Sequence, residues 1–482
     1  MNRQGVPADR EERPHDHDHG HGHVDPERIP VEHTPGGQFH AGDDRAGHGD
    51  GAGHDDHRTG HDDGGAGHPG GSDVLALTDQ ALRARAARVI PGGMWGHQRA
   101  SGLPAGYPQF FRGGNGCRVT DADGRSYVDL MCSWGPIVLG HRHPGVEAAA
   151  DRQRALGDCL DGPSPHAVVL AERLVATIAH ADWAMFQKNG TDATTACVMI
   201  ARAATGRRKV LVARGAYHGS APWCTPLPAG TTAEDRAHLI PFDYNDVDSL
   251  AQAVHAAGAD LAAILVTALR HDLARDQELA TPQFAQAARE LSAAAGAALI
   301  VDDVRAGFRL DLRGSWAPLG IEPDLSAWSK AIANGHPLAA VTGRDWLRDA
   351  ATRVFVTGSF WTGAVAMAAA VATLDALHRI DAPRVMERAG LRLREGLQRQ
   401  ADAYGVRVRQ SGPPQMPLVL FDDDPEQKTG ALFCQHALAR GAYLHPRHNM
   451  FLSTAHGDAD IDAVLAATDA AMHAVARHQA GR

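Results

Sequence analysis

Long apolar runs, basic patches and paired cysteines are all missing from this 482-residue sequence. No stretch approaches the roughly 20 apolar residues of a membrane-spanning helix, and the N-terminus is polar where a secretion signal has an apolar core. The six cysteines have neither the spacing of a zinc site nor that of a disulfide framework. The formal net charge of -10 argues against a nucleic-acid partner. We therefore expect a cytoplasmic protein with no membrane or nucleic-acid partner.

Apolar residues are also scarce in residues 1–72, which are rich in His, Asp and Gly. Such a segment buries too little apolar surface to offset the entropy of ordering, so we predict that it is disordered. Clustered imidazoles and carboxylates bind zinc, nickel or copper weakly, which leaves a metal-buffering or metal-binding function open. A solvated tail with incidental metal affinity is the simpler interpretation. We predict no metal among the site residues of the remaining chain.

From about residue 73 onward, short apolar segments alternate with alanine-rich stretches of helical character. The candidate strands are 209-KVLVA-213, 262-AAILV-266 and 297-AALIV-301. This alternation is typical of a parallel sheet covered by helices, so the sequence predicts an α/β fold.

The pattern changes from about residue 363. It predicts a long alanine-rich helix, a second helix that includes residues 384–405, two short strands around 405–412 and 416–422, and a final helix. This combination indicates a smaller α+β unit. We place a first segment of the small domain at 73–130, the large domain at 131–362 and the C-terminal small domain at 363–482.

One lysine, Lys330, lies in 326-SAWSKAIANGHPLAAV-341, within a polar turn between two apolar runs. The candidate strand 297–301 is followed at once by Asp302 and Asp303, and ligands collect at the carboxyl ends of parallel strands. A carboxylate there suits the pyridinium nitrogen of a cofactor. The simpler alternative is an aspartate that caps a helix.

Two glycine-containing turns add to this pattern. Asn189 and Thr191 are cap-type residues at the start of a helical pattern that Gly206 ends, and the free N–H groups of such a start suit a phosphate. Tyr217, in 215-GAYHGS-220, is of the type that stacks on a flat ring. Each feature alone has a simple structural explanation. Together they provide a phosphate cradle, a ring stacker, a pyridinium partner and a Schiff-base lysine, which predicts pyridoxal 5'-phosphate (PLP).

From about residue 77 to 475 the sequence resembles the class III aminotransferases of PLP fold type I, and among them glutamate-1-semialdehyde aminomutase and its relatives. The matching stretches are 90-IPGG-93, 133-SWGPIVLGHRHP-144, 189-NGTDATTA-196, 217-YHG-219, 302-DDVRAGFR-309, 329-SKAIANG-335, 358-GSFWTGAVAMAAA-370 and 452-LSTAH-456. The resemblance implies a large domain with a mainly parallel seven-stranded sheet and a smaller α+β domain. It also implies a homodimer with shared active sites.

The resemblance further implies roles for individual residues. Lys330, Asp302 and Tyr217 would be catalytic: the lysine as internal aldimine and base, the aspartate as partner of the ring nitrogen, the tyrosine on one ring face. Val304 would cover the other ring face. The other implied cofactor-binding residues are Asn189, Gly190 and Thr191 at the phosphate, His218, and Ser359, which would reach the phosphate of the neighbouring subunit.

The expected substrate pocket departs from the aminomutase pattern. Thr267 stands in place of the acid of the usual Val-Glu-Pro, His166 and Ala167 replace the acid of the gating segment, and 445-HPRHNMFLS-453 lacks the aminomutase glutamate. The cofactor residues are thus kept while the pocket is rebuilt. The candidate substrate residues are His97, Arg99, Trp134, His166, His445 and His448.

A pocket with several imidazoles and no carboxylate-reading pattern suits a polyhydroxylated or cationic small molecule. Relatives with a similar lysine loop act on amino sugars or aminoglycoside intermediates. We therefore predict an aminotransferase of amino-sugar or aminoglycoside metabolism, as in antibiotic biosynthesis. Elimination or epimerisation of a similar amino sugar stays open, as do the aminomutase reaction and a non-enzymatic module that only holds PLP.

Overall fold

The computed structural model describes residues 76–480 apart from Trp95 and His97. The histidine-rich residues 1–72 and His97 lie outside the described residues, so the disorder of the tail and the pocket role of His97 stay predictions. Among the described helices, none combines the length and the apolar character that crossing a bilayer requires.

The described chain begins with a helix and a small antiparallel sheet. The elements up to the central sheet are α1 (Asp79–Val89), β1 (Phe111–Asn115), β2 (Arg118–Asp121), β3 (Ser126–Asp129), α2 (Pro144–Arg154) and α3 (Pro165–Thr177). Strand β2 pairs antiparallel with both β1 and β3.

A seven-stranded sheet then forms the centre of the described chain. Its strands are β4 (Trp183–Gln187), β5 (Lys209–Ala213), β6 (Leu239–Phe242), β7 (Leu261–Thr267), β10 (Ala298–Asp302), β11 (Leu325–Trp328) and β12 (Ala339–Gly343), while β8 (Leu269–Arg270) and β9 (Glu278–Leu279) form a separate pair. The order in space is β4-β12-β11-β10-β7-β5-β6. Only β12 runs against its neighbours, so the predicted mainly parallel sheet is confirmed.

Burial explains why two of the three candidate strands were recognisable. Every residue of β7 and of β10 is buried, as expected where helices cover both faces of a parallel sheet. The helices around this sheet are α4 (Gly190–Thr205), α5 (Val247–Ala257), α6 (Pro282–Ala294) and α7 (Arg348–Arg353). The predicted stop at Gly206 is confirmed, since this glycine ends α4 in the left-handed conformation with φ 68°.

The C-terminal part contains the predicted helices and strands and two elements that the pattern did not indicate. Its elements are α8 (Ala364–Arg379), α9 (Ala382–Tyr404), β13 (Val408–Ser411), β14 (Leu418–Phe421), α10 (Lys428–Leu438), β15 (Ala442–Tyr443) and α11 (Asp458–Ala480). Helix α10 and strand β15 were not predicted. Strand β15 pairs parallel with β3, which joins the C-terminal part to the N-terminal sheet.

Candidate active site

The candidate cofactor residues follow the carboxyl ends of four strands of the central sheet. Asn189 comes two residues after β4, Tyr217 follows β5, Asp302 ends β10, and Lys330 comes two residues after β11. These four strands run in the same direction, so their carboxyl ends meet at one edge of the sheet. The structure thus brings the four predicted positions to the edge where ligands of parallel sheets bind.

Lys330 is held in a constrained position on a turn of 3-10 helix, Lys330–Ala333. Its backbone has φ 45°, and its Nζ donates a hydrogen bond of 2.7 Å to the carbonyl oxygen of Trp134. Burial lowers the pKa of Lys330 to about 7, helped by the positive charges of Arg305 and Arg309 and opposed by Asp302. A large fraction of the amine is therefore unprotonated near neutral pH, as a nucleophile or base requires.

The carbonyl that binds Lys330 belongs to a strained turn. The three residues Cys132–Trp134 all have positive φ, between 47° and 65°. The carboxylate of Asp129 supports this turn by accepting hydrogen bonds from the N–H groups of Met131 and Cys132. Left-handed backbone at non-glycine residues is costly and concentrates at functional sites.

Asp302 and His218 form a buried pair. Oδ2 of Asp302 lies 2.8 Å from Nδ1 of His218, and Oδ1 accepts a hydrogen bond of 3.1 Å from the N–H of Val304. Within the described residues, Nε2 of His218 is buried without a hydrogen-bond partner. A buried polar atom without a partner indicates that a further group binds there.

The neighbouring acid, Asp303, points elsewhere. Its Oδ2 accepts a hydrogen bond of 3.2 Å from the N–H of Ser315, and burial raises its pKa to about 7. The two adjacent acids therefore have different hydrogen-bond partners, and Asp302 is the one that faces the imidazole of His218.

The turn before α4 lies against the same region. Asn189 caps α4 by accepting a hydrogen bond from the N–H of Asp192, and the carboxylate of Asp192 accepts from the N–H of Asn189 in return. A Cβ on Gly190 would lie 2.8 Å from Cγ1 of Val304, so only glycine fits this contact. Oγ1 of Thr191 accepts a hydrogen bond of 3.1 Å from the N–H of Ser220. The helix start, Val304 and the loop after β5 therefore pack together.

Tyr217, Ser359 and Asn189 are the exposed members of the predicted cofactor set. Tyr217 is 44% exposed, and its pKa is raised mainly by partial burial. Ser359 is exposed in the segment after α7 and makes no side-chain hydrogen bond to any described residue.

Three of the predicted substrate residues form what we call the aromatic wall: Trp134, His445 and His448. The ring of Trp134 lies edge to face with that of His448 at 4.9 Å and with that of His445 at 5.4 Å. Burial lowers the pKa of His445 to about 4 and that of His448 well below its ordinary value. Both imidazoles are therefore neutral at physiological pH.

Arg99 and His166 do not join the aromatic wall through hydrogen bonds between described residues. Arg99 is exposed beside the turn Ala100–Gly102, and His166 is half-buried in the first turn of α3. Their roles in the pocket stay predictions.

Sequence reasoning missed two side chains at this site. Nη1 of Arg305 donates hydrogen bonds to Nε2 of His448 at 3.0 Å and to Oδ1 of Asn449 at 2.7 Å. The pKa of His271 is well below its ordinary value, through burial and then through the charge of Arg305. A cation just after a strand that ends in acids was the available signal for Arg305. His271 follows the short strand β8, and nothing in the pattern marked it.

Comparison with known proteins decides what this arrangement is. A family model described as aminotransferase class-III matches residues 105–457. The chain belongs to the class III aminotransferases. An aminopentol aminotransferase of Sphingopyxis macrogoltabida is 50% identical over 396 residues, which cover 82% of this chain and 94% of the relative. A glutamate-1-semialdehyde 2,1-aminomutase of Desulforudis audaxviator is 32% identical over 415 residues, which cover 80% and 96%.

Solved structures of aminotransferases are similar to this chain in fold and in sequence. The PLP internal aldimine form of the FumI protein of Sphingopyxis sp. MTA144 has a TM-score of 0.82 and 50% identity, covering 83% of this chain and 97% of that one. An omega-transaminase of Sphaerobacter thermophilus has a TM-score of 0.75 and 27% identity, with coverages of 83% and 98%. The chain is therefore a PLP-dependent enzyme of fold type I. The predictions of family, fold and cofactor are confirmed.

The described residues fit this cofactor in chemical terms. The buried carboxylate of Asp302 provides the negative charge that a pyridinium nitrogen needs, and Lys330 provides an amine with a lowered pKa. The start of the 16-residue helix α4 provides free N–H groups for a phosphate, beside the hydroxyl of Thr191.

Proposed function

We propose that this class III aminotransferase removes the amino group of a hydroxyl-rich amine, an amino polyol, and passes it to a carbonyl compound. The observation that carries the proposal is the neutral aromatic wall beside the amine of Lys330. Both ring nitrogens of His448 are engaged, by Asn449 and Arg305, and Nδ1 of His445 accepts from the N–H of Arg447. The neutral imidazole of His445 therefore offers its Nε2–H to a hydroxyl group, and it does so without requiring a carboxylate on the amine. The name of the 50% identical aminopentol aminotransferase supports the same substrate class.

All of the predicted cofactor residues except Ser359 have a task within one chain in this proposal. PLP, when bound, supplies an electron sink for the carbon that carries the amine. Asp302 holds a proton on the pyridine nitrogen by its negative charge, and His218 fixes the orientation of that carboxylate. Asn189, Gly190 and Thr191 bind the phosphate, while Val304 and Tyr217 cover the two ring faces.

Lys330 moves the proton in the proposed reaction. Because its pKa is lowered to about 7, its Nζ both accepts and returns a proton near neutral pH. The hydrogen bond to the carbonyl of Trp134 directs Nζ towards the side of the pocket where the aromatic wall stands. The amine-bearing carbon of the donor loses two electrons and becomes a carbonyl, and the acceptor carbonyl gains two electrons and becomes an amine.

An amino sugar or aminoglycoside intermediate, as predicted from the sequence, is a narrower form of this substrate class. Elimination and epimerisation share the same first proton transfer. The aminotransferase names of the 50% identical relative and of the omega-transaminase favour transfer of the amine over both.

A matched panel of donors tests the proposal. The donors are 1-amino-1-deoxyglucitol, hexylamine, glucosamine, glutamate-1-semialdehyde and common α-amino acids, each mixed with the PLP form of the enzyme. We expect the fastest absorbance change with 1-amino-1-deoxyglucitol or glucosamine, and a product in which a carbonyl replaces the amine by mass spectrometry. Preference for glutamate-1-semialdehyde or for α-amino acids alone would reject the hydroxyl-rich substrate. Loss of water with retention of the amine would show elimination, and deuterium uptake without a change of formula would show epimerisation.

We also propose a homodimer with shared active sites. Several large apolar side chains near Ser359 in the sequence and on α3 are exposed in the single chain, among them Phe355 at 86%, Phe360 at 64% and Val168 at 62%. Burial of such side chains against a second copy would stabilise a dimer. Sedimentation analysis should give twice the mass of the chain, and a monomer with full PLP content would contradict the shared site.

A further inference from the structure

Two arginines follow Asp302 on the same loop, and they differ in how their guanidinium groups are satisfied. Arg309 is fully buried and donates to three backbone carbonyls, at Leu452, Gly135 and Ile137. Arg309 therefore connects its own loop to two distant segments of the chain. Arg305 is half-buried, and only its Nη1 has acceptors among the described residues, His448 and Asn449.

Both acceptors of Arg305 are neutral groups held in fixed orientations. Nδ1 of His448 lies 2.9 Å from the carbonyl oxygen of Asn449, so Nδ1 carries the hydrogen and Nε2 is free to accept from Arg305. The side-chain amide of Asn449 donates to the carbonyl of Met450, which leaves its Oδ1 for Arg305. The guanidinium is thus positioned before any ligand arrives, and its charge is not neutralised by these contacts.

Arg305 also lacks an ion pair. No carboxylate oxygen of the described residues lies within 4.0 Å of its guanidinium nitrogens. Partial burial lowers its pKa to about 10, so it keeps its positive charge at neutral pH. A partly desolvated cation without an anion is unfavourable, and the remaining N–H groups of its planar fork match the two oxygens of a carboxylate.

Arg305 is connected to the reacting amine through the aromatic wall. Its Nη1 donates to Nε2 of His448, whose ring lies 4.9 Å from that of Trp134, and the carbonyl of Trp134 accepts from Nζ of Lys330. After burial itself, the charge of Arg305 is the largest cause of the lowered pKa of Lys330, and the charge of Asp302 acts on Arg305 in turn. An anion bound by Arg305 would therefore be within the same pocket as the substrate carbon.

We propose that Arg305 binds the carboxylate of the amino acceptor, a 2-oxo acid. This inference rests on the proposed function, because an amino polyol brings no carboxylate of its own. The neutral aromatic wall would then bind the donor and the guanidinium the acceptor, so that one pocket serves two chemically different molecules. In the acceptor step, C2 of the oxo acid gains the amino group and two electrons, and its carbonyl oxygen leaves as water.

The test starts from enzyme loaded with pyridoxamine phosphate, which makes it independent of the identity of the amine donor. The wild type, Arg305→Met and Arg305→Lys are mixed with pyruvate or with acetaldehyde, which is pyruvate without its carboxylate. The conversion to the PLP form is followed by absorbance. Arg447→Met is the matched control, because Arg447 is an exposed arginine one residue before His448.

For Arg305→Met we expect a roughly 10- to 100-fold higher half-saturating pyruvate concentration, as for the loss of a charged hydrogen bond. The reaction with acetaldehyde should change by less than about threefold. Arg305→Lys should recover part of the affinity, and Arg447→Met should behave as the wild type. Binding of propionate to the resting PLP form, measured by its absorbance change, should weaken in parallel in Arg305→Met without any turnover.

Three results would overturn the inference. The first is that Arg305→Met loses as much of its reaction with acetaldehyde as of its reaction with pyruvate. The second is that a lower cofactor content explains the whole effect of Arg305→Met. The third is that Arg447→Met loses as much pyruvate affinity as Arg305→Met. The second would assign Arg305 to the cofactor. If pyruvate discrimination depends on Arg305 but 1-amino-1-deoxyglucitol and glucosamine do not react, the acceptor site stands and the hydroxyl-rich donor is wrong.

Discussion

The carboxylate of Asp302 lies 2.8 Å from Nδ1 of His218, with both side chains buried at the carboxyl edge of the central sheet. This contact fixes a negative charge where the pyridine ring of the cofactor is proposed to bind. Asp302→Asn keeps the shape and removes the charge, so kcat should fall by at least about 100-fold. Steady-state kinetics measures the loss, and circular dichroism shows whether the fold is intact. Asp303→Asn is the matched control and should lose much less activity, whereas near-normal activity of Asp302→Asn would move the role to Asp303.

Asp303 should make the free energy of unfolding depend on pH. Burial raises its pKa from the ordinary 3.8 to about 7, so the folded protein binds this proton more tightly than the unfolded chain does. The contribution of Asp303 to the free energy of unfolding is fully present below pH 3.8 and is lost as pH rises through about 7. The free energy of unfolding of the wild type minus that of Asp303→Asn should therefore be larger at pH 5 than at pH 8. Urea unfolding at both pH values measures this, and an equal difference would contradict it.

Gly135 should not tolerate a side chain. Its φ is 111°, and a Cβ would lie 3.2 Å from Cδ of Lys330 and 3.2 Å from Cε1 of Phe451. Gly135→Ala should cost roughly 1–3 kcal/mol in the free energy of unfolding and should also slow the reaction with the amine, because Lys330 must move. Gly102→Ala is the control, since a Cβ there meets nothing within 4 Å. Equal stability of the two variants in thermal or urea unfolding would show that the turn has room.

The sequence predicted the central sheet because buried strands are local patterns, whereas the roles of the cofactor residues stay predictions. The buried strand β7 is a continuous apolar run, and β10 is an apolar run that ends in Asp302. Both can be recognised from their own segments of sequence alone. Helix α10 was missed because it starts after Gln427 in the left-handed conformation, without a side-chain cap, and contains Gly430 in its first turn. Its N-terminus thus carries none of the usual signals.

Contacts between distant segments could not be read from the sequence. The pair of Arg305 with His448 and Asn449 joins positions more than 140 residues apart, and β15 pairs with β3 across the length of the chain. The neutrality of His445 and His448 depends on burial, which only packing determines. The domain limits, the cytoplasmic location and the functions of the tail stay predictions.

His445 should discriminate between hydroxyl-bearing and plain amines. Its half-buried imidazole stands against Trp134 and is neutral, since burial lowers its pKa to about 4. His445→Leu should raise the KM for 1-amino-1-deoxyglucitol by roughly 10-fold through a lost hydrogen bond and leave that for hexylamine almost unchanged. His445→Gln should restore part of the difference. Equal changes for both amines would mean that His445 only shapes the pocket.

Borohydride reduction followed by peptide mapping tests the central claim most directly, namely that Lys330 holds the cofactor at the edge of the central sheet. The other lysines of the chain are Lys188, Lys209 and Lys428, so the label is assigned without ambiguity. The lowered pKa of Lys330, about 7, and its hydrogen bond to Trp134 predict that the pyridoxyl group is found on Lys330 alone. Lys330→Ala should take up no reducible label. A pyridoxyl group on Lys188, Lys209 or Lys428 in the reduced wild type would contradict the account.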